Sequence, residues 1–546
     1  MLSFDASFFQ DLSRGVWRSD VVAVLLVVFL VRLFLKSRSR IRSTQLHGPK
    51  SNNVLFGVLP QVSPGSGGMD NYFKKAIEDY GTVFNLPSGF GRQDLVGCDA
   101  KAISHILSRD TFTYYRPAFA RVLTDILFGK GIFSLENDGH RRLRKALTPA
   151  FSNAAIRSYI ETFNDNSSKM KAAWDSIIDA AAGGSATIEV QQWMNNLALE
   201  NLGRTGFSHH FGTLEGKRPE LIDAFDSFQS PGNMGFASKM VFLLSTNFPV
   251  LLNLPTKHTK MMRRVRYAMK GIADDVLEKA KAELETNAAG EKITDKSIVG
   301  LLIKAESTSG NLSMTSEEVL AQMNSLFFAG YETTSTTLTW ALIELCRNPQ
   351  VQEKLRQEVN TKLQGADPTW EEITLGLPYL DAVTQETLRV HGPVHNIRRE
   401  AFEDDVLPLS KPIQTASGTS TSEIIVAKGQ GIHIPTTCMN TSEDLWGPDA
   451  NQYKPERWLG ELSPGAQAIQ GHHHVLSFGE GQRFCLGRHF ALANFKSALV
   501  NLVRHYSFEL PNGKDTIIGK HFGAINRPKV EGEKGPRVPL LIRRVD

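Results

Sequence analysis

Between Thr315 and Cys346 the chain runs for 32 residues without a proline, and Arg347-Asn348-Pro349 then stops the pattern. Thr315-x-x-Glu318 is a capping-box signature, in which hydroxyl and carboxylate each satisfy an otherwise orphaned backbone N–H. The spacing predicts one helix of about 45 Å, longer than most helices of globular proteins. Elsewhere helical periodicity alternates with short loops, and strand-like runs are few. The expected fold class is therefore mainly α with small β-sheets around one long helix.

The middle of that helix reads Leu326-Phe327-Phe328-Ala329-Gly330-Tyr331-Glu332-Thr333-Thr334. Small residues beside an acid and two hydroxyls are unusual inside an apolar helix, because a buried carboxylate is costly without a partner or a task. The plainer alternative is that Glu332 faces solvent and Gly330 only allows another helix to pack.

The 546 residues are 41% hydrophobic and 22% charged, which excludes wholesale disorder and a polytopic membrane bundle. Lys and Arg exceed Asp and Glu by 61 to 57, a net charge of +4 that gives no reason to expect a nucleic-acid partner. The four cysteines, Cys98, Cys346, Cys438 and Cys485, form no CxxC pair, so neither a disulfide scaffold nor a zinc ribbon is expected.

Val21 to Val31 is an unbroken apolar run of 11 residues, extended by Leu33 to Leu35 beyond Arg32. Residues 1–20 carry Asp5, Asp11 and Asp20 against Arg14 and Arg18, while Arg32, Lys36, Arg38, Arg40 and Arg42 follow with no acid among them. Positive charge marks the cytoplasmic side of a membrane, so 21–36 is expected to be a transmembrane anchor. Residues 1–20 then lie on the non-cytosolic side and the bulk of the chain in the cytosol. The run is short for a span, as a cleaved signal would be, but it lacks a basic start and a small-x-small cleavage site. Asn166, Asn311 and Asn440, each in an N-x-[ST] triplet, are then chance matches. Residues 37–68, basic and then rich in Pro and Gly, form a semi-rigid connector. No repeat or long linker divides 69–546, which read as one domain, with Gln414 to Ser422 as a surface loop.

Near the end stands Phe478-Gly479-Glu480-Gly481-Gln482-Arg483-Phe484-Cys485-Leu486-Gly487. Three glycines around one cysteine make a loop whose backbone can approach something bulky. Arg483 is placed to favour the thiolate and to offer a fork to a carboxylate, and Phe478 and Phe484 to keep water from the sulfur. The other three cysteines read as inert packing. His472-His473-His474 cannot all point one way and reads as a polar loop rather than a metal site.

This loop resembles the haem-ligand loop of the cytochrome P450 monooxygenases, a specific ten-position pattern. Ala329-Gly330-Tyr331-Glu332-Thr333 resembles the oxygen-activating segment of that family's central helix, Glu386-Thr387-Leu388-Arg389 its E-x-x-R helix, and Pro455-Glu456-Arg457-Trp458 its P-E-R-W segment. E-x-x-R alone would mean little, but four motifs occur in the family's order. The resemblance covers about residues 45 to 546, and the anchor and general look are those of microsomal and fungal members.

The resemblance implies a cytochrome P450 fold, its long central helix over the haem, preceded by the anchor. It implies haem b (iron protoporphyrin IX) as cofactor, with Cys485 as the axial thiolate of the iron, a ligand that favours O–O cleavage. Cofactor-binding positions would be His140, Arg144, Ala329, Arg399, Phe478, Arg483, Cys485 and Gly487. Arg144, Arg399 and Arg483 would hold the propionates; His140 stands where the family usually has Trp, and Arg398 leaves the Arg399 assignment open by one residue. Glu332 and Thr333 would deliver protons during dioxygen activation. Glu386, Arg389 and Arg457 would form a buried structural network.

Arg141, Arg142, Lys145, Arg488 and Lys496 form a basic set where NADPH-cytochrome P450 reductase, and cytochrome b5, would dock; a solvated face without a partner is the alternative. Met240 to Leu244 and Phe248 to Leu252 would dip into the membrane surface or pack in the core, and Phe119, Phe128 and Phe133 lie where the family contacts substrate. The expected function is insertion of one oxygen atom into a lipophilic molecule, whether terpenoid, steroid, fatty chain or aromatic, at the endoplasmic reticulum membrane. Alternatives are a haem-thiolate isomerase or dehydratase, which the Glu332-Thr333 pair argues against, and a non-catalytic haem protein.

Overall fold

The computed structural model describes Phe29 and residues 43–62, 68–181, 183–229, 236–287, 297–307 and 312–545. The anchor expected at 21–36 lies, but for Phe29, outside the described residues, as does Asn311. Among the described residues no helix is long and apolar enough to cross a membrane.

The helices that shape the site are α1 (Ala118–Phe128), α2 (Asn137–Leu147), α3 (Asn153–Ala180), α4 (Val190–Gly206), α5 (Glu220–Gln229), α6 (Lys257–Asn287), α7 (Ser316–Arg347), α8 (Pro349–Leu363), α9 (Pro378–His391) and α10 (Arg488–His505). The long helix is α7. Thr315 is its N-cap, the reciprocal capping box with Glu318 is formed, and Asn348 ends it. Its first half buries Val319, Met323, Phe327 and Tyr331 among side chains of α2 to α6. Its second half buries Leu338, Ala341, Leu342 and Leu345 against α3 and α8 to α10. Each of the Val, Leu, Met and Phe side chains among these is worth roughly 1.5–3 kcal/mol when taken from water, so α7 is fixed along its length.

The strands form small sheets. One has five strands, β1 (Val83–Pro87), β2 (Gln93–Gly97), β3 (Tyr114–Tyr115), β4 (Ile397–Ala401) and β5 (Gly431–Ile434), in the order β1-β2-β5-β4-β3. Only β2 and β5 run parallel; in the β4–β5 register Arg399 faces Ile432 and Arg398 faces His433. Asp405–Gln414 and Ser420–Val426 pair as a hairpin, so the loop expected at 414–422 narrows to a turn at 415–419. A second hairpin joins β6 (Ile518–His521) to β7 (Arg527–Val530).

The described part of the connector lies against these sheets. Leu46 bridges Thr415, and a Cβ at Gly48 would come 1.9 Å from the Asn85 carbonyl oxygen. Asn166 and Asn440 are buried, their side-chain amides donating to Asn201 and Ser477, as chance triplets would be.

Candidate active site

The Cys485 amide donates to the Phe478 carbonyl at 2.8 Å and closes the loop into which the sulfur is set. Gly479 and Gly481 have φ of 71° and 70°, and a Cβ on Gly481 would lie 2.0 Å from the Leu107 carbonyl oxygen. The third glycine answers a different need: Gly487 is the N-cap of α10 at an ordinary φ of −83°. Burial pushes the Cys485 thiol up, while the Gly487 amide, Arg144 and Arg488 favour the thiolate. Arg483, expected to do this, is engaged elsewhere. Phe484, expected to shield the sulfur, is 39% exposed and carries Arg144 at 4.1 Å and Arg488 at 5.5 Å over its ring. Phe478 is half-buried, 5.7 Å from the His472 ring.

Beside the loop, side chains distant in sequence form a cationic cradle. Arg483 donates to the carbonyls of Ile132 at 3.2 Å and Leu135 at 2.6 Å, and pairs with Glu136; its Nε is 3.4 Å from Asp110. Arg399 pairs with Asp110 from the other side. Alternation along β4 sends Arg398 to the opposite face, toward Asp94 and Arg92, so that Arg399 and not Arg398 stands with Arg483 at Asp110. Arg116, which the sequence did not single out, is pushed down to about 9 by burial and by Arg483 and Arg399. His140 is buried on α2, and burial together with Arg483, Arg144, Arg116 and Arg399 pushes it down to about 3, so its ring is neutral.

Arg399 and Arg483 share Asp110, Glu136 serves Arg483 and lies near Arg116, and Arg144 stands beside Arg483, so four guanidiniums have two carboxylates among them. Nη2 of Arg144 and Nε of Arg399 and of Arg483 are buried without a hydrogen-bond partner. Unpaired buried donors with a surplus of two positive charges fit a dianionic group such as the two propionates of a haem. The cradle is tied to the central helix through Ile132, whose N–H donates to Gln322 of α7 at 3.1 Å while its carbonyl accepts from Arg483.

Ala329 and Thr333 are one turn apart on α7 and half-exposed, and the Thr333 hydroxyl donates to the Ala329 carbonyl at 2.7 Å. Phe328 beside them lies 5.3 Å from Phe128, which is 5.9 Å from Phe133; Phe119 meets Phe242 at 5.2 Å. A Cβ on Gly330 would come 2.8 Å from the Leu202 side chain, so Gly330 does allow α4 to pack closely. Glu332 does not face solvent: its side chain is 0% exposed, and Arg527 of β7 donates to both of its oxygens, from Nε at 3.0 Å and Nη2 at 2.6 Å. Sequence reasoning missed Arg527, which sits in no motif.

The structural network of Glu386, Arg389 and Arg457 is in place with one addition, Trp458. Arg389 holds Glu386 by two hydrogen bonds of 2.8 and 2.7 Å and reaches the carbonyls of Asn440, Ala450 and Gln452. Glu386 also accepts from the Lys454 amide and from Trp458 Nε1. Arg457 pairs with Glu386 at 3.6 Å, as expected, while donating its hydrogen bonds to Asp449 and the Trp446 carbonyl, and Trp458 joins the network.

The basic set is smaller than expected. Arg142 is consumed by Glu318 and the Ser313 carbonyl, and Lys496 is buried against Asp381 and the Ile373 carbonyl. Arg141 and Lys145 remain exposed, with Arg488 half-buried. His472–His474 is a tight turn, and among the described residues no cluster of three or more His, Cys, Asp or Glu side chains could hold a metal ion.

The family model described as Cytochrome P450 matches residues 46–531. Cytochrome P450 monooxygenase claP of Ampulloclitocybe clavipes is 46% identical, over 97% of this chain and 99% of its own length. Cytochrome P450 monooxygenase claQ of the same fungus is 45% identical over the same shares. Cytochrome P450 monooxygenase 205 of Postia placenta is 34% identical over 97% of this chain and 96% of its own. With the cysteine loop, the cradle and the E-x-x-R network on one scaffold, the chain belongs to the cytochrome P450 family and is an oxidoreductase of its monooxygenase type.

Proposed function

We propose that this protein holds haem b through Cys485 and inserts one oxygen atom of dioxygen into a lipophilic molecule, with electrons that originate in NADPH. The observation that carries the reading is the surplus of two positive charges among Arg116, Arg144, Arg399 and Arg483, beside the sulfur and around the neutral His140. The arginines would take the propionates and His140 would offer them an N–H. Haem-thiolate supplies dioxygen activation when bound. The protein's part is to keep Cys485 beside Arg144, Arg488 and the Gly487 amide, and to bring protons to the distal side. The Thr333 hydroxyl can hold a water there, and Glu332 supplies the ionisable group one residue away.

Aromatic side chains at Phe119, Phe128, Phe133, Phe242 and Phe328 favour an apolar substrate, such as a terpenoid, steroid, fatty chain or aromatic. Val54, Leu55, Val250 and Leu254 are exposed, Val250 at 70%, on two segments that meet at Phe90, whose amide donates to the Leu55 carbonyl and whose ring lies 5.5 Å from Phe248; Phe29 stands 6.3 Å from Phe90. Such a patch suits the surface of the endoplasmic reticulum membrane, with a single-pass anchor at 21–36 and the catalytic part in the cytosol. Arg141, Lys145 and Arg488 would receive an acidic face of NADPH-cytochrome P450 reductase or cytochrome b5.

A panel of lipophilic compounds screened for a type I spectral shift finds substrates, and Thr333→Ala then tests the reading. The variant is expected to retain haem and to release hydrogen peroxide in place of oxygenated product. Fully coupled turnover in Thr333→Ala would overturn the proton role, and a protein that binds the compounds but never oxygenates any would overturn the activity.

A further inference from the structure

The Glu332–Arg527 pair continues outward. Arg527 is 3% exposed and has a third nitrogen, Nη1, which donates to Asp226 of α5 at 3.1 Å. Asp226 is 38% exposed and accepts from Arg218 Nη2 at 2.9 Å, while Arg218 Nε donates to Asp223 at 2.7 Å. Alternating charges thus run from the surface to the carboxylate inside the central helix. α5 also lays Phe225 over Tyr331 at 5.2 Å and Phe328 at 5.7 Å, so the helix that provides the outer carboxylate also covers the oxygen-activating segment.

Stability is a weak reason for such an arrangement, because buried ion pairs are often no better than apolar packing of the same volume. Geometry gives a stronger one. A carboxylate has about four lone-pair sites, and Arg527 occupies two, leaving the others for a water or hydroxyl. A guanidinium also keeps its own proton under all working conditions, so it orients a carboxylate without competing for the proton in transit. The groups facing Arg527 are Glu332 and Tyr331 of α7 and Asp226 of α5, with Arg218 behind Asp226.

We propose that Arg527 is the positioning residue of the proton relay: it fixes the Glu332 carboxylate next to Thr333 and, through Asp226, links it to α5 and to solvent. This rests on the reading of Glu332 and Thr333 as the relay.

The test uses the full-length, haem-loaded protein with reductase and NADPH and no added substrate. Electrons then leave by two routes: one NADPH and one proton from solvent reduce dioxygen to hydrogen peroxide, and two NADPH and two such protons reduce it to two waters. Poor proton delivery raises the peroxide share. Glu332→Gln is the reference, and infrared difference spectra on photolysis of the reduced carbonyl complex report protonated carboxyl groups directly. Arg527→Met is expected to show a protonated-carboxyl band that wild type and Arg527→Met/Glu332→Gln both lack, and to raise the peroxide share roughly twofold or more. Asp226→Asn is expected to raise the share with no new band.

A wild-type peroxide share in Arg527→Met, with or without a new carboxyl band, would overturn the inference, since removing a merely structural counter-charge would protonate the buried carboxylate without changing how electrons leave. If Arg527→Met yields no haem protein, Arg527→Lys decides. Its ammonium lacks the planar fork that grips Glu332 through two nitrogens and Asp226 through a third, so the share should rise, and a wild-type share sinks the inference. A wild-type share in Glu332→Gln would instead reject the relay itself, which separates the two failures.

Discussion

The guanidinium of Arg144 lies 4.1 Å from the centre of the Phe484 ring, one residue before the cysteine. That stacking explains why an aromatic side chain stays 39% exposed beside the sulfur: it holds a cation next to Cys485 and Arg483. Arg144 also has a buried nitrogen with no partner in the protein. Its replacement by alanine should therefore loosen haem. Losing one charge-assisted hydrogen bond costs about 1.5 kcal/mol, roughly tenfold in the rate of haem transfer to apomyoglobin. A wild-type transfer rate would remove Arg144 from the cradle.

Gly481 should tolerate no side chain. At φ 70°, with a Cβ only 2.0 Å from the Leu107 carbonyl oxygen, alanine forces the loop away from backbone that cannot yield. Gly481→Ala is expected to lose the thiolate-type carbonyl spectrum and most of its haem on purification. Full haem occupancy with an unchanged spectrum would contradict that packing.

Glu386→Gln leaves Arg389, itself fully buried, without its counter-charge. Breaking such a pair costs about 3–5 kcal/mol. Soluble haem protein should fall sharply on expression, and any that survives should melt at a lower temperature. Wild-type yield and melting temperature would show the network to be dispensable.

His258 gives a pH test remote from the cysteine loop. Burial pushes it from the ordinary 6.5 down to about 4, and its ring meets Phe242 edge-on at 5.2 Å. Between pH 6.5 and about 4 the unfolded chain holds a proton that the folded one refuses. Stability should thus fall as the pH drops through this window, by at most about 1.4 kcal/mol per unit from this group. His258→Phe should show a smaller decline in melting temperature from pH 6.5 to 4.5; parallel curves would contradict the assignment.

Local patterns were legible in the sequence and long-range pairings were not. The capping box of Thr315 and Glu318 and the stop at Asn348 act over a few residues, so they could be read directly. The fold class and the place of Cys485 followed from spacing and resemblance. Arg116 and Arg527 carry no local signal, because their partners come from other elements: Arg527 meets Glu332 195 residues away. Arg142 and Lys496 looked like free surface charge for the converse reason, their carboxylate partners Glu318 and Asp381 being distant in sequence. Arg483 was read beside the wrong neighbour. Two residues from Cys485 in the chain, it turns instead to Glu136, Ile132 and Leu135.

Ligation of haem iron by the Cys485 sulfur is tested most directly by the absorption spectrum of the reduced protein under carbon monoxide, for wild type and Cys485→Ala. Thiolate ligation requires the red-shifted Soret band in the wild type and its loss in the variant. A band at the position given by a histidine ligand, or one that survives Cys485→Ala, would contradict it.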